Sequence, residues 1–262
     1  MTSFATSPRL GDRPALVGMV HLLPTPGSPG WGGSVDALRD AALRDAERLA
    51  EGGCDALLVE NMADAPYLRG AVPPEVVGVM TRVTAEVVAL GLPTGVQVLA
   101  GANRQALGVA VAAGASFIRC EAFAYAHVAD EGWMDACAGP LLRARTALGA
   151  DVAIWADVQK KHSAHAVTAD VPLADLAHGH AFCGADVLIV TGSQTGAATS
   201  PEDVRTAASA GLPVVVGSGI TADNAADYAH ASALIVGSWL KEGGRWRSPV
   251  DTDRVRQVRD SL

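Results

Sequence analysis

Short apolar runs rich in Val, Ile and Leu recur along the chain, and Ala-rich stretches with helical periodicity separate them. The runs cover residues 15–20, 56–59, 95–99, 116–120, 152–156, 186–190, 213–216 and 233–236. A strand with one wet face would alternate apolar and polar residues, so continuous runs predict strands of a parallel sheet covered on both faces. Between and after them the pattern predicts helices over 34–51, 73–90, 104–113, 139–148, 172–183, 201–210, 222–229 and 251–261. The first has Ser34 as a plausible cap and stops at Gly52-Gly53. The return from helix to strand repeatedly reads Gly, a small residue, then Asp or Ser, as in Gly53-Cys-Asp55, Gly114-Ala-Ser116, Gly149-Ala-Asp151 and Gly184-Ala-Asp186. That repetition fits a left-handed helix end before each new strand.

Eight strand–helix units in 262 residues match a closed (β/α)8 barrel, the TIM-barrel form of the α/β class, better than an open sheet. A doubly wound nucleotide-binding sheet would place G-x-G-x-x-G after its first strand, whereas here the chain runs into His21-Leu-Leu-Pro-Thr-Pro-Gly-Ser-Pro-Gly30. No linker divides the sequence. One domain over 1–262 is expected, with 1–14 as a flexible extension.

Composition narrows the function. Twenty Lys and Arg against 28 Asp and Glu give a net charge of −8, with no basic stripe, so a nucleic-acid partner is not expected. The uncharged runs are broken by Gly and Pro and fall short of a bilayer span, and no segment reads as a secretory leader, so a cytoplasmic protein without a transmembrane segment is expected. Self-association into a homo-oligomer is left open. Cys54, Cys120, Cys137 and Cys183 show no C-x-x-C spacing and read as small buried residues. His178 and His180 fall on a helix expected to be exposed. The basic residues are 17 Arg and only Lys160, Lys161 and Lys241; a lysine kept against that bias suits a task needing a compact, titratable amine.

Barrel active sites lie at the carboxyl ends of the strands, so the residues after each apolar run are the candidates. They are polar: His21; Glu60 and Asn61, with Asp64 beyond; Arg119 and Glu121; Asp157, followed by Lys160, Lys161 and His162; and Thr191 and Ser193. Arg119 and Glu121 share one strand face, and Asp157 shares a face with Trp155. Charges on those faces predict a barrel interior near its mouth, with Arg119 paired to Glu60, Glu121 or Asp157. After the last two runs come Gly217-Ser218-Gly219 and Gly237-Ser238, with Lys241 beyond. Main-chain amides there, together with a helix N-terminus expected after residue 222, would grip a phosphate. No zinc, Walker, EF-hand or nucleophile-elbow motif is present; Mg2+ bridging a phosphate to Glu60, Asp64, Glu121 or Asp157 is chemically reasonable.

These residues also carry a resemblance. Gly18-Met-Val-His-Leu-Leu-Pro24 with Pro26-Gly-Ser-Pro29, then Val59-Glu-Asn61 with Asp64-Ala-Pro66, resemble the opening of the BtpA/SgcQ family. Asp157-Val-x-x-Lys161-His162, Ile189-Val-Thr-Gly-Ser193 with Thr195-Gly196, and Val216-Gly-Ser-Gly219 continue the match in order, from about residue 15 to about 241. The resemblance implies a ribulose-phosphate-binding type of barrel. It also implies a shared site containing Glu60, Asn61, Asp64, Asp157, Lys161, His162, Thr191 and Ser193. One cyanobacterial branch of the family is associated with photosystem I biogenesis, and others sit among sugar-metabolism proteins. Two departures stand out: Lys160, where an apolar residue is common, and Phe123-Ala-Tyr-Ala-His127.

The expected function is an enzyme acting on a small phosphorylated metabolite, a sugar phosphate or nucleotide-like compound. Carboxylates and lysine would act at the barrel mouth, with isomerase, lyase and glycosyl-transfer chemistry all compatible. The alternative, which the resemblance implies, is a non-catalytic assembly or regulatory factor for photosystem I biogenesis.

Overall fold

The computed structural model describes residues 3–192 and 198–262. In chain order the elements are β1 (Ala15–His21), α1 (Val35–Glu51), β2 (Ala56–Glu60), α2 (Pro74–Val88), β3 (Thr94–Gln97), α3 (Asn103–Ala113), β4 (Phe117–Cys120), β5 (His127–Ala129), β6 (Gly132–Met134), α4 (Ala138–Ala147), β7 (Ala153–Asp157), β8 (Ser163–Ala164), α5 (Leu173–Phe182), β9 (Val187–Val190), α6 (Pro201–Ala208), β10 (Val214–Val216), β11 (Ala233–Val236) and α7 (Thr252–Asp260). Eight strands close a parallel barrel in the order β1-β11-β10-β9-β7-β4-β3-β2, so the (β/α)8 reading of the apolar runs holds. The seventh unit departs from expectation: instead of a helix over 222–229, only a four-residue 3-10 turn forms, Ala225–Tyr228.

Alternate positions along each strand point inward. Ala15, Val17 and Met19; Ala56 and Leu58; Phe117; Ala153 and Trp155; Val187 and Ile189; Val215; and Ala233 and Ile235 form one buried cluster, the barrel interior. Phe117 stacks on Trp155 with ring centroids 4.0 Å apart. The intervening positions, among them Leu16, Val20, Leu57, Val59, Ile118 and Leu188, pack against the helices in a second, larger cluster. Both faces of every barrel strand are therefore dry, which is why the runs show no alternation.

The helix–strand returns behave as expected: Gly114 ends α3 with φ 77° and Gly184 follows α5 with φ 90°. The acidic residues beside such glycines hold the barrel floor. Asp55 accepts from the Leu16 amide and pairs with Arg13, and Asp186 accepts from the Ile154 amide and pairs with Arg145. From Ser3 onward the N-terminal extension is docked rather than a free arm. Phe4 packs on Trp155, the Ala5 carbonyl accepts from the Trp155 indole at 2.7 Å, and Arg9 donates to the carbonyls of Ala229 and Ala231. It closes the end of the barrel opposite the strand carboxyl termini.

The other unexpected feature is a small antiparallel sheet, β6-β5-β8, built from an excursion between β4 and α4 and from the segment after β7. It stands at the mouth of the barrel.

Candidate active site

The inward parity continues past the last apolar layer. His21, Glu60, Gln97, Glu121 and Asp157 follow inward-facing positions at the strand ends, with Arg119 one rung deeper on β4, and all but His21 are buried along their whole residue. Register places His21 beside Glu60 and Glu60 beside Gln97. Arg119 takes Asp157 in a two-pronged pair, Nε to Oδ2 at 2.9 Å and Nη2 to Oδ1 at 2.8 Å. Burial works against the Arg119 charge, but Asp157 outweighs it and holds the guanidinium more strongly cationic than usual. Gly217 makes room for this arginine: a β-carbon there would sit 2.6 Å from Ile189 and 3.2 Å from Arg119 Nη2.

Two of the cavities that open at this level share a wall. One, about 240 Å³, lies under the loops after β10 and β11 and is lined by Gly217, Ser218, Gly219, Gly237 and Ser238, with His21 at its side. The N–H groups of Gly219 and Ser238 donate to no acceptor among the described residues. The other cavity, about 250 Å³, is lined by Gln97, Glu121, Asp130, Glu131, Lys160 and His162. Glu60, Met62, Arg119 and Lys161 line both.

Lys161 is therefore, with Arg119, a cation where the two cavities meet, and its ammonium has no hydrogen-bond or ion-pair partner among the described residues. Burial, then the Arg119 charge, lower its pKa from the ordinary lysine value, while Glu60, Asp157 and Glu121 pull the other way. Burial also raises Glu60 above the usual carboxylate range, with Lys161 and Arg119 opposing. Glu121 is pushed up to about 7, chiefly by burial, although Lys160 counteracts it. The Glu121 carboxyl accepts from the Gly101 amide at 2.8 Å and from Gln97 Nε2 at 3.3 Å. His21 lies 3.5 Å from Glu60 and is driven down to about 3 by burial, so it is neutral near pH 7.

Several expected site residues have other work. Asp64 accepts from the Thr25 amide, the Thr25 hydroxyl and Asn61 Nδ2, and Asn61 Oδ1 accepts from the Leu99 amide. Both tie the loops after β1, β2 and β3 together, and neither lines the two cavities. Lys241 is fully buried and turned to Asp45 on α1, so its ammonium is not in the cavity under the glycine loops, contrary to the expectation of a phosphate contact. The helix dipole expected after the first glycine turn is absent too, since the short 3-10 turn does not supply it. The four carboxylates considered for Mg2+ do not converge: Asp64 faces Thr25 and Asp157 faces Arg119. Among the described residues, no group of three His, Cys, Asp or Glu is placed to hold a metal.

Ser218 accepts from the Gly192 amide, Thr191 donates to the Gln159 carbonyl, and His162 is exposed at the cavity rim. Ser193 lies outside the described residues. His180, expected on an exposed helix, is fully buried against Phe123 and Tyr125.

The sequence reading missed Gln97, Asp130, Glu131 and the role of Lys160. Lys160 pairs with Glu131 at 2.9 Å and approaches Glu121 at 3.9 Å, pinning the β5–β6 hairpin to the mouth. Gln97 could have been found, being a lone polar residue at an inward position of an apolar run. Asp130 and Glu131 sit in an excursion with no periodic signal.

With this geometry described, comparison with known proteins places the chain. The model of the BtpA family matches residues 12–262. The chain belongs to the BtpA family. An uncharacterized mitochondrial protein of Caenorhabditis elegans is 42% identical over 252 residues, covering 93% of this chain and 91% of its own length. The photosystem I biogenesis protein BtpA of a Synechocystis strain is 37% identical, covering 92% of this chain and 85% of the relative. Among solved structures, 3-hexulose-6-phosphate synthase superposes with a TM-score of 0.59 at 16% identity over 95% of this BtpA-family chain and 99% of its own. The N-(5′-phosphoribosyl)anthranilate isomerase of Pyrococcus furiosus does so at 0.57 and 12% identity, over 95% and 98%. At such identity these likenesses show a shared barrel fold. No helix among the described residues of this BtpA-family chain is long and apolar enough to cross a membrane.

Proposed function

We propose that this chain is an enzyme acting on a small phosphorylated metabolite, with the phosphoryl group under the glycine loops and the reacting carbons facing Glu60 and Glu121. The observation that carries the reading is Lys161, a partly desolvated ammonium that has no ion-pair partner among the described residues and lies between an amide-lined cavity and a pair of buried carboxyls. The N–H groups of Gly219 and Ser238 would receive the phosphoryl oxygens, with Lys161 supplying positive charge from the other side. A carboxyl group whose pKa lies near 7, as at Glu121, both takes and returns a proton at neutral pH, and Lys161 can stabilise the oxyanion formed as the proton leaves carbon. Isomerisation and carbon–carbon lyase chemistry share that proton transfer, and the arrangement favours them over glycosyl transfer. Barrels of this fold include proteins named for phosphorylated sugars, an analogy that raises the reading without carrying it.

A thermal-shift screen against sugar phosphates and nucleotides tests this. A bound compound raises the melting temperature by mass action. Ser218→Asp keeps an acceptor for the Gly192 amide but puts a carboxylate against the phosphoryl group, and it should abolish the response. No response from any phosphorylated compound, or an equal response in the variant, overturns the reading. Lys161→Arg keeps the charge and removes the titratable amine, so retained turnover excludes covalent amine chemistry.

A second reading, a non-catalytic assembly factor, is favoured by the name of the Synechocystis relative and by Phe182, which is 92% exposed at the end of α5. It predicts that the Lys161 and Ser218 variants keep the biological role.

A further inference from the structure

Cys120 closes β4, and Cys137 immediately precedes α4. Their sulfurs are 3.7 Å apart, and the sixteen residues between them form the excursion that carries β5, β6, Asp130 and Glu131 to the mouth of the barrel. From this geometry we propose that Cys120 and Cys137 are a reversible peroxide-oxidisable dithiol whose disulfide staples the base of that excursion. The inference does not depend on the phosphorylated-substrate reading.

The two sulfurs differ in the way such chemistry requires. Cys120 is completely buried, and burial raises its pKa well above the ordinary thiol value. Cys137 is only partly buried; hydrogen bonding with Cys120, and the bond its Sγ accepts from Asn103 Nδ2 at 3.2 Å, lower its pKa. The sulfur of the less buried residue is thus the one biased toward thiolate. In the first step the Cys137 thiolate attacks one oxygen of hydrogen peroxide, the O–O bond breaks, and Cys137 sulfenic acid and hydroxide form. In the second, Cys120 sulfur attacks Cys137 sulfur, the S–O bond breaks, and the departing hydroxide leaves as water with the Cys120 proton. Two thiols and one peroxide give one disulfide and two waters. The sulfurs need only close from 3.7 Å to a bond length of about 2 Å.

The pair is linked to the acidic cavity by a short path. The same Asn103 amide that donates to Cys137 donates to the Glu121 carbonyl at 2.7 Å, and Glu121 follows Cys120 directly. The excursion is held at its tip by Lys160–Glu131, so oxidation would fix its base as well.

The test is to treat the folded protein with hydrogen peroxide, alkylate under denaturing conditions and map tryptic peptides. Residues 120–143 form one tryptic peptide carrying both thiols. It should lose two hydrogens and escape alkylation, reverting with a dithiol reductant, while Cys54 and Cys183 remain alkylated. Cys137→Ser, at the partly exposed position, should abolish the loss and leave Cys120 fully alkylated. Cys120→Ala should stop Cys137 at a sulfenic acid trapped by a dimedone reagent. The proposal is overturned if both thiols stay reduced under peroxide that oxidises a free-thiol control. It is equally overturned if wild-type Cys137 accumulates as sulfinic acid, or if its disulfide forms with Cys183 or between chains.

Discussion

Arg119 holds Asp157 through both carboxylate oxygens, and the pair lies across neighbouring strands β4 and β7 inside the barrel. It is the electrostatic floor of the candidate site: it occupies Asp157, carries a fixed cation beneath the Gly217 loop, and leaves Glu60, Glu121 and Lys161 as the groups free to exchange protons.

Asp157→Asn removes the counter-charge and leaves a buried guanidinium. Denaturant melts should show a loss of about 3–5 kcal/mol, whereas the Arg119→Met/Asp157→Leu double variant should lose less than the single one, since it strands no charge. A double variant as unstable as Asp157→Asn would mean that the pair's stability comes from packing rather than charge.

Glu121 gives a signed pH dependence. Its folded pKa of about 7 exceeds its ordinary value of 4.5, so the folded chain holds a proton that the unfolded chain releases between those values. Its contribution to stability is therefore fully present below about pH 4.5 and lost as pH rises through 7. His21, at about 3, and His127, at about 4, act oppositely, favouring the folded state as pH rises toward 6.5. The check is the difference between wild type and Glu121→Gln: the variant should gain stability relative to wild type from pH 5 to 8. A pH-independent difference would place the Glu121 pKa in the normal range.

Lys161→Met removes a partly desolvated ammonium that has no ion-pair partner among the described residues. Its melting temperature should equal or exceed that of wild type, the behaviour of a residue kept for a ligand rather than for the fold. A loss of more than about 1 kcal/mol would instead make Lys161 structural.

Lys241→Met leaves Asp45 buried with, among the described residues, only the Val250 amide as donor. It should cost about 3–5 kcal/mol and leave any thermal-shift response to phosphorylated compounds intact. Loss of that response in a folded variant would return Lys241 to the phosphate site.

Gly95→Ala would put a methyl group into the Phe117 ring, which stacking on Trp155 keeps from moving. A destabilisation of about 1–3 kcal/mol is expected, seen as a lowered urea midpoint.

Much of the fold was legible in the chain because barrel strands are dry on both faces, so 56–59 and 187–190 stand out as unbroken apolar runs wherever they fall. The period of two then carried Arg119, Glu121 and Asp157 to the mouth. The seventh helix was misread, since its Ala-rich stretch has helical composition while only Ala225–Tyr228 winds, as 3-10 turn. Local composition also could not say where a polar group turns. Asp64 and Glu60 look alike in sequence, yet one is satisfied by Thr25 and Asn61 and the other faces the cavity. Likewise Lys161 and Lys241 were equal candidates until Asp45, 196 residues away, claimed one of them.

Strand order, inward parity and the polar character of the mouth are written in short-range periodicity, because they depend on which residues can be buried together. Which charge is paired, which is left free, and that the 121–136 excursion brings Glu131 over the mouth are decided only when distant segments meet. Pairing energies depend on partners, and neighbours in the sequence do not specify them.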